Sequence, residues 1–460
     1  MTAGGRLSPA SLPLPSSQVS VPTRRPERTG IVHLGTGAFF RAHQAVFTER
    51  AFEATGDSDW GILAVTGRRP DVADALAPQD GLYGVLERSA GPDRVELIGS
   101  VTDVAAGERD AQQVIAAIAA EETAVITLTI TEKAYTAESL SRPLQNLRDG
   151  LELRRASHGR PLTVISCDNL RDNGRVLESL VTASVGADAR RWMSSSVAFP
   201  RTMVDRIVPA ATDDDRDRVE RLTGVRDSAA VVAEPFSSWV IADEFAGPTP
   251  AWASVGALVD DEVSLWEDLK IRTLNATHSL LAYEGALRGH DTIDACVADQ
   301  GLAEVARDLM AQTARSLTVP QRVDIAEYQE NTLSRFANPA LAHTVRQIAK
   351  DGSEKIPVRL LAPLRDLRRR NEEFDVVARA IAAWMVVVRH LPELVDDPRR
   401  DQLLSLVAQA RGTRGLVMSL LQMADVFDAE TRGDHEVVET LVAQVDDLVT
   451  HVLGAPVPHY

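Results

Sequence analysis

The stretch over residues 30–41 constrains the fold of this chain more than any other. It reads Gly-Ile-Val-His-Leu-Gly-Thr-Gly-Ala-Phe-Phe-Arg, an apolar strand ending in Gly35-Thr-Gly37, with helix-forming residues over 42–52. Glycines at such a turn let the backbone approach a pyrophosphate, and the helix N-terminus supplies N–H groups. Phe40 replaces the usual third glycine. The stretch predicts a dinucleotide-binding unit, with an ordinary tight turn as the alternative.

Further apolar, β-branched segments follow at the spacing of a strand–helix–strand repeat. This alternation predicts an α/β fold with a doubly wound, mainly parallel sheet. Segments at 203–209 and 234–241 are expected to complete the sheet and its edge. The other strand segments are 60–66, 95–101, 124–130 and 162–167, with a helical segment near 143–155.

Polar residues follow several of these strands, at the edge where a doubly wound sheet binds ligands. Arg68 and Asp71 follow the second strand. Because an acid there favours NAD and an arginine can hold the extra phosphate of NADP, the cofactor stays open at this point. Glu132, Asp168 and Asn169 follow two later strands and are site candidates. For Glu132, a solvated surface loop is an equal alternative.

The chain changes character near residue 250. Strand patterns end there, and amphipathic helical patterns such as 375–388 and 436–453 continue almost to the last residue. A chain of 460 residues is also long for one core. We therefore expect a Rossmann-like dinucleotide-binding domain over 29–250 and an all-α domain over 251–460. Residues 1–28, with five prolines among serines, are expected to be a disordered leader.

Composition excludes several functional classes. The net charge of −17 argues against nucleic acid and anionic membranes as partners. No apolar run approaches the ~18 to 20 residues of a membrane span. Cys167 and Cys296 give neither a disulfide framework nor a metal-ligand spacing. These features predict a cytoplasmic protein that binds a small molecule and holds no metal.

The segment 267–283 is the candidate for proton-transfer chemistry. At ~100° per residue, Glu267, Lys270, Asn275 and His278 fall within an arc of roughly 140° on a helix, so four functional groups could face one cavity. The chain has only four lysines, and a buried lysine, unlike arginine, can act as a general base. The alternative is a polar helix face in solvent.

One loop, 350–359, is expected to interrupt the helices of the second domain. It carries Lys350, Lys355 and Arg359 beside a turn signal. Such a loop could hold an anionic or polyhydroxyl substrate, or be charged for solubility alone.

Several separated motifs stand in a specific order. They are Gly35-x-Gly37-x-Phe39-x-Arg41-Ala-His43-Gln44, Thr129-Ile-Thr-Glu132, Ser166-Cys-Asp168-Asn169, Met203-Val-Asp205-Arg206, Glu234-Pro-Phe236 and Lys270-x4-Asn275-x2-His278. Together they resemble the mannitol dehydrogenase family of long-chain, metal-independent polyol dehydrogenases, which also contains fructuronate and tagaturonate reductases. The resemblance runs from about residue 30 to about 365. Phe40 departs from the family, since many members have histidine there.

The resemblance implies roles for individual residues. Lys270 resembles the general base, Asn275 and Asn169 the amides that hold the reacting oxygen, and His278 the residue that orients the substrate. Glu267 stands where some relatives pass protons between lysine and water. Gly35, Gly37, Phe39, Arg41, Arg68, Glu132 and Asp168 are expected to bind the cofactor, and Asp205, Arg206, Lys355 and Arg359 the substrate.

The resemblance also implies a reaction, the NAD-dependent oxidation of a secondary alcohol by a monomer, with NADP not excluded. Motifs at 131–135, 202–209 and 343–353 look closer to fructuronate reductases, so D-mannonate and D-fructuronate are the expected pair. D-Mannitol and D-fructose come next, then mannitol 1-phosphate or arabinitol. A hydroxyacid or phosphogluconate-type dehydrogenase and a non-catalytic nucleotide-sensing protein are the rival classes. The chain has no Tyr-x3-Lys pair, which excludes the short-chain dehydrogenase arrangement.

Overall fold

The computed structural model describes residues 5–67, 69–131, 134–135 and 139–454. It divides into two compact units, Met1–Ser264 and Leu265–Tyr460. The division falls later than the predicted boundary near 250. A 3-10 turn at Trp252–Val255 and a last short strand, Leu258–Val259, still belong to the first unit.

Among the described residues, the first unit contains a six-stranded, all-parallel sheet of order β6-β3-β2-β7-β8-β9, as the alternation predicts. The strands are β1 (Val19–Ser20), β2 (Thr29–Leu34), β3 (Gly61–Thr66), β4 (Tyr83–Glu87), β5 (Arg94–Ile98), β6 (Val101–Ala106), β7 (Val125–Leu128), β8 (Leu162–Ser166), β9 (Val197–Ala198), β10 (Thr202–Asp205), β11 (Val231–Ala233), β12 (Ser238–Ile241) and β13 (Leu258–Val259). The helices of this unit are α1 (Ala38–Ala42), α2 (Gln44–Thr55), α3 (Asp71–Leu76), α4 (Ala111–Ala119), α5 (Arg142–Ser157), α6 (Asn173–Ser184), α7 (Ala187–Ser196) and α8 (Asp213–Thr223).

The central strands are apolar throughout because both faces of the sheet are covered. On β2, Ile31 joins one buried cluster, whereas Val32 and Leu34 join the cluster on the other face. The strands therefore show no alternation with polar residues, and β2 delivers the glycine loop to the carboxyl edge of the sheet.

Two expectations about strands are wrong. Residues 95–101 are not one strand but the end of β5 and the start of β6, which belong to different sheets. The buried carboxylate of Glu49 accepts hydrogen bonds from the N–H groups of Gly99 (2.8 Å) and Ser100 (2.5 Å) and holds the turn between them. In addition, β10 and β12 do not extend the main sheet; they form a separate sheet with β13.

The expected disordered leader is also wrong for residues 5–28. Strand β1 pairs with β5 in a sheet of order β1-β5-β4-β11, and Leu7 is fully buried. Leu7 packs in a cluster with Leu82 and Leu86. The segment is therefore ordered and adds an edge strand to the four-stranded sheet.

The second unit is helical, as predicted. The expected loop at 350–359 is wrong, because these residues form a short helix, Gly352–Ile356, and a π-helical turn, Pro357–Leu361. No helix in the described part of the chain is long and apolar enough to cross a membrane. The helices are α9 (Val263–Lys270), α10 (Ala276–Leu287), α11 (Ile293–Ala298), α12 (Gln300–Ala314), α13 (Ile325–Phe336), α14 (Val345–Ala349), α15 (Gly352–Ile356), α16 (Ala362–Arg369), α17 (Asp375–His390), α18 (Arg400–Gln409), α19 (Gly412–Leu420), α20 (Ala429–Gly433) and α21 (His435–Asp447).

Helix α10 is the central helix of this unit. Nearly every residue from its first turn to its last is buried, and it packs against α11, α12, α14 and α17. A helix that is buried all round needs neighbours on every side. Its polar side chains therefore lie in the interior of the protein.

Candidate active site

The two glycines of the loop after β2 have different roles. Gly35 has a φ of 103°, and a Cβ there would collide with the carbonyl oxygen of Thr129, so the turn requires glycine. The N–H groups of Gly35 and Thr36 donate to the Val65 carbonyl of β3 at 2.8 and 3.0 Å. At Gly37, by contrast, the nearest heavy atom to a Cβ is 3.8 Å away. Space is therefore open above Gly37.

The start of α1 can accept an anion there. The backbone N–H groups of Gly37 and Ala38 have no hydrogen-bond partner among the residues that the structure describes. The first N–H groups of a helix carry a partial positive charge and bind phosphate groups. The loop thus fits the pyrophosphate of a dinucleotide.

Phe40, at the place of the usual third glycine, is fully buried. Its ring stacks on the ring of His33 from β2, with 3.6 Å between centroids and 9° between planes. The third glycine normally allows close packing of helix on strand. Here two stacked rings fill that contact instead.

The predicted cofactor residues Arg41 and Phe39 lie beside this loop. Arg41 is buried, and its Nε donates to the Gly37 carbonyl at 3.2 Å while Nη1 donates to the Ala229 carbonyl. The Arg41 side chain therefore contacts the loop at the backbone carbonyl of Gly37. Phe39 is half-buried, and its ring stacks on His43 at 5.0 Å.

Asp168 fixes the segment that follows β7. Its Oδ1 accepts the N–H of Thr131 (2.7 Å), and its Oδ2 accepts the N–H of Ile130 (3.1 Å) and the hydroxyl of Tyr135 (2.7 Å). Burial raises the pKa of Asp168, and these hydrogen bonds oppose the rise. The neighbouring Asn169 is exposed at the end of β8. The predicted cofactor residues Arg68 and Glu132 lie outside the described residues.

The position of Arg206 corrects the expectation that this residue binds the substrate. Its side chain has 0% exposure and forms an ion pair of 2.7 Å with Glu87. It also donates to the carbonyls of Ala42 (2.5 Å) and Glu234 (2.9 and 2.7 Å). Because these partners engage both terminal nitrogens and Nε, the guanidinium of Arg206 is held within the first unit rather than presented to a substrate. Asp205, the last residue of β10, is buried beside it.

In the second unit, the predicted helix over 267–283 contains a π-helical turn, Ile271–Asn275, between α9 and α10. Such a turn holds one extra residue and rotates all following residues back by roughly 100°. Asn275 and His278 therefore rotate towards Glu267 and Lys270, and the arc of the four narrows to roughly 80°. The four functional groups come to lie along one narrower stripe of the helix.

Burial decides between the two interpretations of this stripe. Glu267 is 5% exposed, Lys270 8%, Asn275 8% and His278 7%. Charged and amide side chains are seldom this buried without a partner or a function. The alternative of a solvated helix face is excluded.

His278 is neutral at neutral pH. Burial lowers its pKa well below the usual value, and the neighbouring charges of His343, Arg359, Lys355 and Arg335 lower it further. Its ring lies 4.6 Å from that of Phe336 and 5.2 Å from that of His343. Its Nε2 is buried and has no hydrogen-bond partner among the described residues, so this atom can bond to a ligand.

Arg359 and Lys355, both predicted substrate residues, are half-buried. Arg359 lies on the π-helical turn Pro357–Leu361, which packs against the turn Ile271–Asn275. Its Nη1 lies 3.1 Å from Ser279 Oγ. The Lys355 ammonium donates to the Ile348 carbonyl at 3.1 Å.

Sequence reasoning gave no role to four residues of these regions. Thr129 stood in a family motif and His33 in the apolar β2 segment, but neither position indicated a function. Arg335 and His343 lie far from the catalytic motif in sequence, and only the fold brings them near His278. Within the described residues, no group of three or more histidine, cysteine, aspartate or glutamate residues could hold a metal ion.

Comparisons with known proteins agree with this geometry. Residues 29–254 match the mannitol dehydrogenase Rossmann domain, and residues 262–449 match the mannitol dehydrogenase C-terminal domain. The chain is 36% identical to the D-mannonate oxidoreductase of Escherichia coli K12, over 91% of this chain and 93% of that protein. It is 31% identical to a mannitol 2-dehydrogenase of Pyrenophora tritici-repentis, over 94% and 82%.

Solved structures agree as well. The Pseudomonas fluorescens mannitol 2-dehydrogenase, in ternary complex with NAD and D-mannitol, has a TM-score of 0.85 and 29% identity, covering 98% of both chains. A D-sorbitol dehydrogenase in substrate-free form has a TM-score of 0.85 and 25% identity, covering 97% of this chain and 99% of that one. The chain belongs to the mannitol dehydrogenase family of oxidoreductases.

Proposed function

We propose that this chain is an NAD-dependent oxidoreductase that interconverts D-mannonate and D-fructuronate. The observation that carries the proposal is the position of Arg359, whose Nη1 lies 3.1 Å from Ser279 Oγ on the residue next to His278. Together with burial, the charges of Arg359, Lys355 and Arg335 all lower the pKa of His278. Guanidinium and ammonium groups bind carboxylates by charge-assisted hydrogen bonds. A sugar acid supplies a carboxylate at one end, whereas a neutral polyol does not.

The resemblance to the D-mannonate oxidoreductase supports this substrate class, because the identity extends over nearly the whole of both chains. Of the predicted substrate residues, Lys355 and Arg359 would bind the carboxylate. Asp205 remains a proposed substrate residue, while the buried Arg206 acts through packing.

Residues of the first unit would hold the dinucleotide. The N–H groups of Gly37 and Ala38 would bind the pyrophosphate, and Arg41 would fix the Gly37 carbonyl below it. Asp168 would act by holding the segment after β7. Phe39, Arg68 and Glu132 remain proposed contacts. A dinucleotide bound by these residues would supply the acceptor for the hydride of the alcohol carbon.

Residues of the second unit would move the proton. The amine of Lys270 takes the proton of the substrate hydroxyl, and Glu267 passes that proton towards water. The amide group of Asn275 would donate a hydrogen bond to the partial alkoxide without ionising itself, a role that the family resemblance also gives to Asn169 of the first unit. His278 Nε2, which is buried and available, binds a second substrate hydroxyl and sets the orientation of the sugar.

D-Mannitol and D-fructose form the second candidate pair. The observation that favours them is the similarity in structure to a mannitol 2-dehydrogenase whose complex contains D-mannitol. An extended polyol would use the same lysine and amides, and its end hydroxyl would replace the carboxylate.

A substrate panel separates the candidates. The purified protein would be assayed with D-fructuronate, D-fructose and D-tagaturonate, each with NADH and NADPH. The proposal expects the highest kcat/KM for D-fructuronate with NADH. A preference for fructose over fructuronate would overturn the substrate assignment, and a preference for NADPH the cofactor assignment. Light scattering of the same sample tests the proposed monomer, and cell fractionation tests the cytoplasmic location.

A further inference from the structure

We propose that His33 and Thr129 form a positioning arm that sets the backbone of the dinucleotide loop. The inference rests on the proposed function as a dinucleotide-dependent oxidoreductase, and goes beyond it by giving roles to the buried His33 of β2 and to Thr129, the residue directly after β7. Neither side chain needs to touch the cofactor. The arm acts on the carbonyl group of Gly35, and through it on the N–H groups that follow.

The arm is a continuous chain of short hydrogen bonds. His33 Nδ1 lies 2.7 Å from Thr127 Oγ1, and His33 Nε2 lies 3.0 Å from Thr129 Oγ1. The Thr129 hydroxyl then donates to the Gly35 carbonyl at 2.8 Å. The chain thus runs from the middle of β7 across β2 and ends on the loop glycine.

The direction of each hydrogen bond follows from counting protons. Thr129 has one hydroxyl proton, and the Gly35 carbonyl can only accept. The Thr129 oxygen must therefore accept from His33, so Nε2 carries the proton. Burial lowers the pKa of His33 to about 3, with a hydrogen bond to the Gly35 backbone opposing the effect. The ring is neutral, Nδ1 is bare, and Thr127 donates to it.

The direction of these hydrogen bonds matters because both backbone groups of Gly35, its N–H and its carbonyl, are hydrogen-bonded. Its N–H donates to the Val65 carbonyl of β3 at 2.8 Å, and its carbonyl accepts from Thr129, directly after β7. With both backbone groups fixed, the left-handed φ of 103° is fixed too. The direction in which Gly37 leaves the turn is then set before the cofactor arrives, and preorganisation of this kind raises affinity.

Thr129 also joins two parts of the carboxyl edge. The residues directly after it, Ile130 and Thr131, donate their N–H groups to Asp168 of the neighbouring strand end. The glycine loop and the segment after β7 therefore share one anchor. A histidine with only a structural role would form its hydrogen bonds within the core. His33 instead donates its Nε2 proton to Thr129, whose hydroxyl donates to the Gly35 carbonyl of the loop.

The test compares Thr129→Val, which keeps the shape and removes the hydroxyl, with Thr129→Ser, which keeps the hydroxyl. His33→Phe retains a ring to stack on Phe40 and removes both hydrogen bonds. We measure the Kd of NADH by fluorescence titration, and kcat and KM for NADH with D-fructuronate. Thermal unfolding of each variant is followed in parallel.

We expect Thr129→Val and His33→Phe to raise the Kd and KM of NADH about tenfold, the effect of one lost hydrogen bond, with kcat at saturating NADH little changed. Thr129→Ser should restore wild-type affinity. Equal affinity in wild type and Thr129→Val would overturn the positioning role alone. If the wild-type protein bound neither NADH nor NADPH, the proposed function and this inference would both fall.

Discussion

The Nη1 of Arg359 donates to the backbone carbonyl of Asn275 across 3.4 Å. Asn275 is the last residue of a π-helical turn, where carbonyl groups lose their regular α-helical partners. The guanidinium thus supports the backbone of the amide that is proposed to hold the reacting oxygen. The same charge lies near His278 and lowers its pKa.

Replacement of Arg359 therefore affects acidic substrates most. Arg359→Met should lower kcat/KM for D-fructuronate about 100-fold, because it removes both a charged hydrogen bond and the support of Asn275. Arg359→Lys, which keeps the charge, should lose less. Steady-state kinetics with D-fructuronate and D-fructose provide the comparison. An equal loss for both substrates would count against carboxylate binding by Arg359.

Lys270→Met should abolish most turnover and leave cofactor binding intact. Loss of a general base costs roughly 10²- to 10⁴-fold in kcat. Lys350→Met is a matched control, since Lys350 is partly exposed and pairs with Asp396 at 2.6 Å. Steady-state rates and NADH titration check both variants. Near-normal turnover in Lys270→Met would remove Lys270 from the role of base.

The two loop glycines should respond differently to alanine. Gly37→Ala should fold normally, because its Cβ meets open space, yet weaken NADH binding by tenfold or more, roughly 1.4 kcal/mol, by filling that space. Gly35→Ala should lower the free energy of unfolding by about 2 kcal/mol or more, since it combines a positive φ with a backbone clash. Urea unfolding and NADH titration separate the two effects. A stable Gly37→Ala variant with normal NADH affinity would contradict the pyrophosphate site.

Stability should fall in acid because of buried neutral histidines. Burial lowers the pKa of His33 from 6.5 to about 3. A folded-state pKa below the unfolded one means that the stabilisation is complete above pH 6.5 and is lost as the pH falls towards 3. His33→Phe should reduce the slope of unfolding free energy against pH by roughly 1.4 kcal/mol per unit in this range. Urea titrations between pH 7 and 4 measure it, and parallel curves for the two proteins would refute the assignment.

The fold could be predicted where one pattern dominates. The Gly35 turn and the buried apolar strands indicate a parallel sheet, because only a sheet covered on both faces needs strands of this kind. The turn at Gly99 could not be predicted, since it depends on Glu49, a residue distant in sequence whose carboxylate enters the core. The order of the leader depends equally on partners, because Leu7 is buried by residues distant in sequence, such as Leu82 and Leu86.

The sequence predicted those features of the candidate site that depend on local spacing, but not those that depend on tertiary contacts. The Lys270 and His278 spacing is a local signal, and the structure confirms that both are buried. No particular amino-acid composition indicates a π-helical turn. The sequence therefore did not predict that the arc of the four polar side chains narrows. Arg206 matched a family motif, but its burial and its carbonyl partners could only come from the tertiary structure.

Strand β1 has a consequence for how the chain can be shortened. It covers the edge of β5, and Leu7 seals the cluster around Leu82 and Leu86. A chain starting at residue 29, where the family match begins, would offer β5 as an open strand edge beside exposed leucines. Such edges pair with one another between molecules. The residues ahead of the dinucleotide strand therefore protect the protein from aggregation.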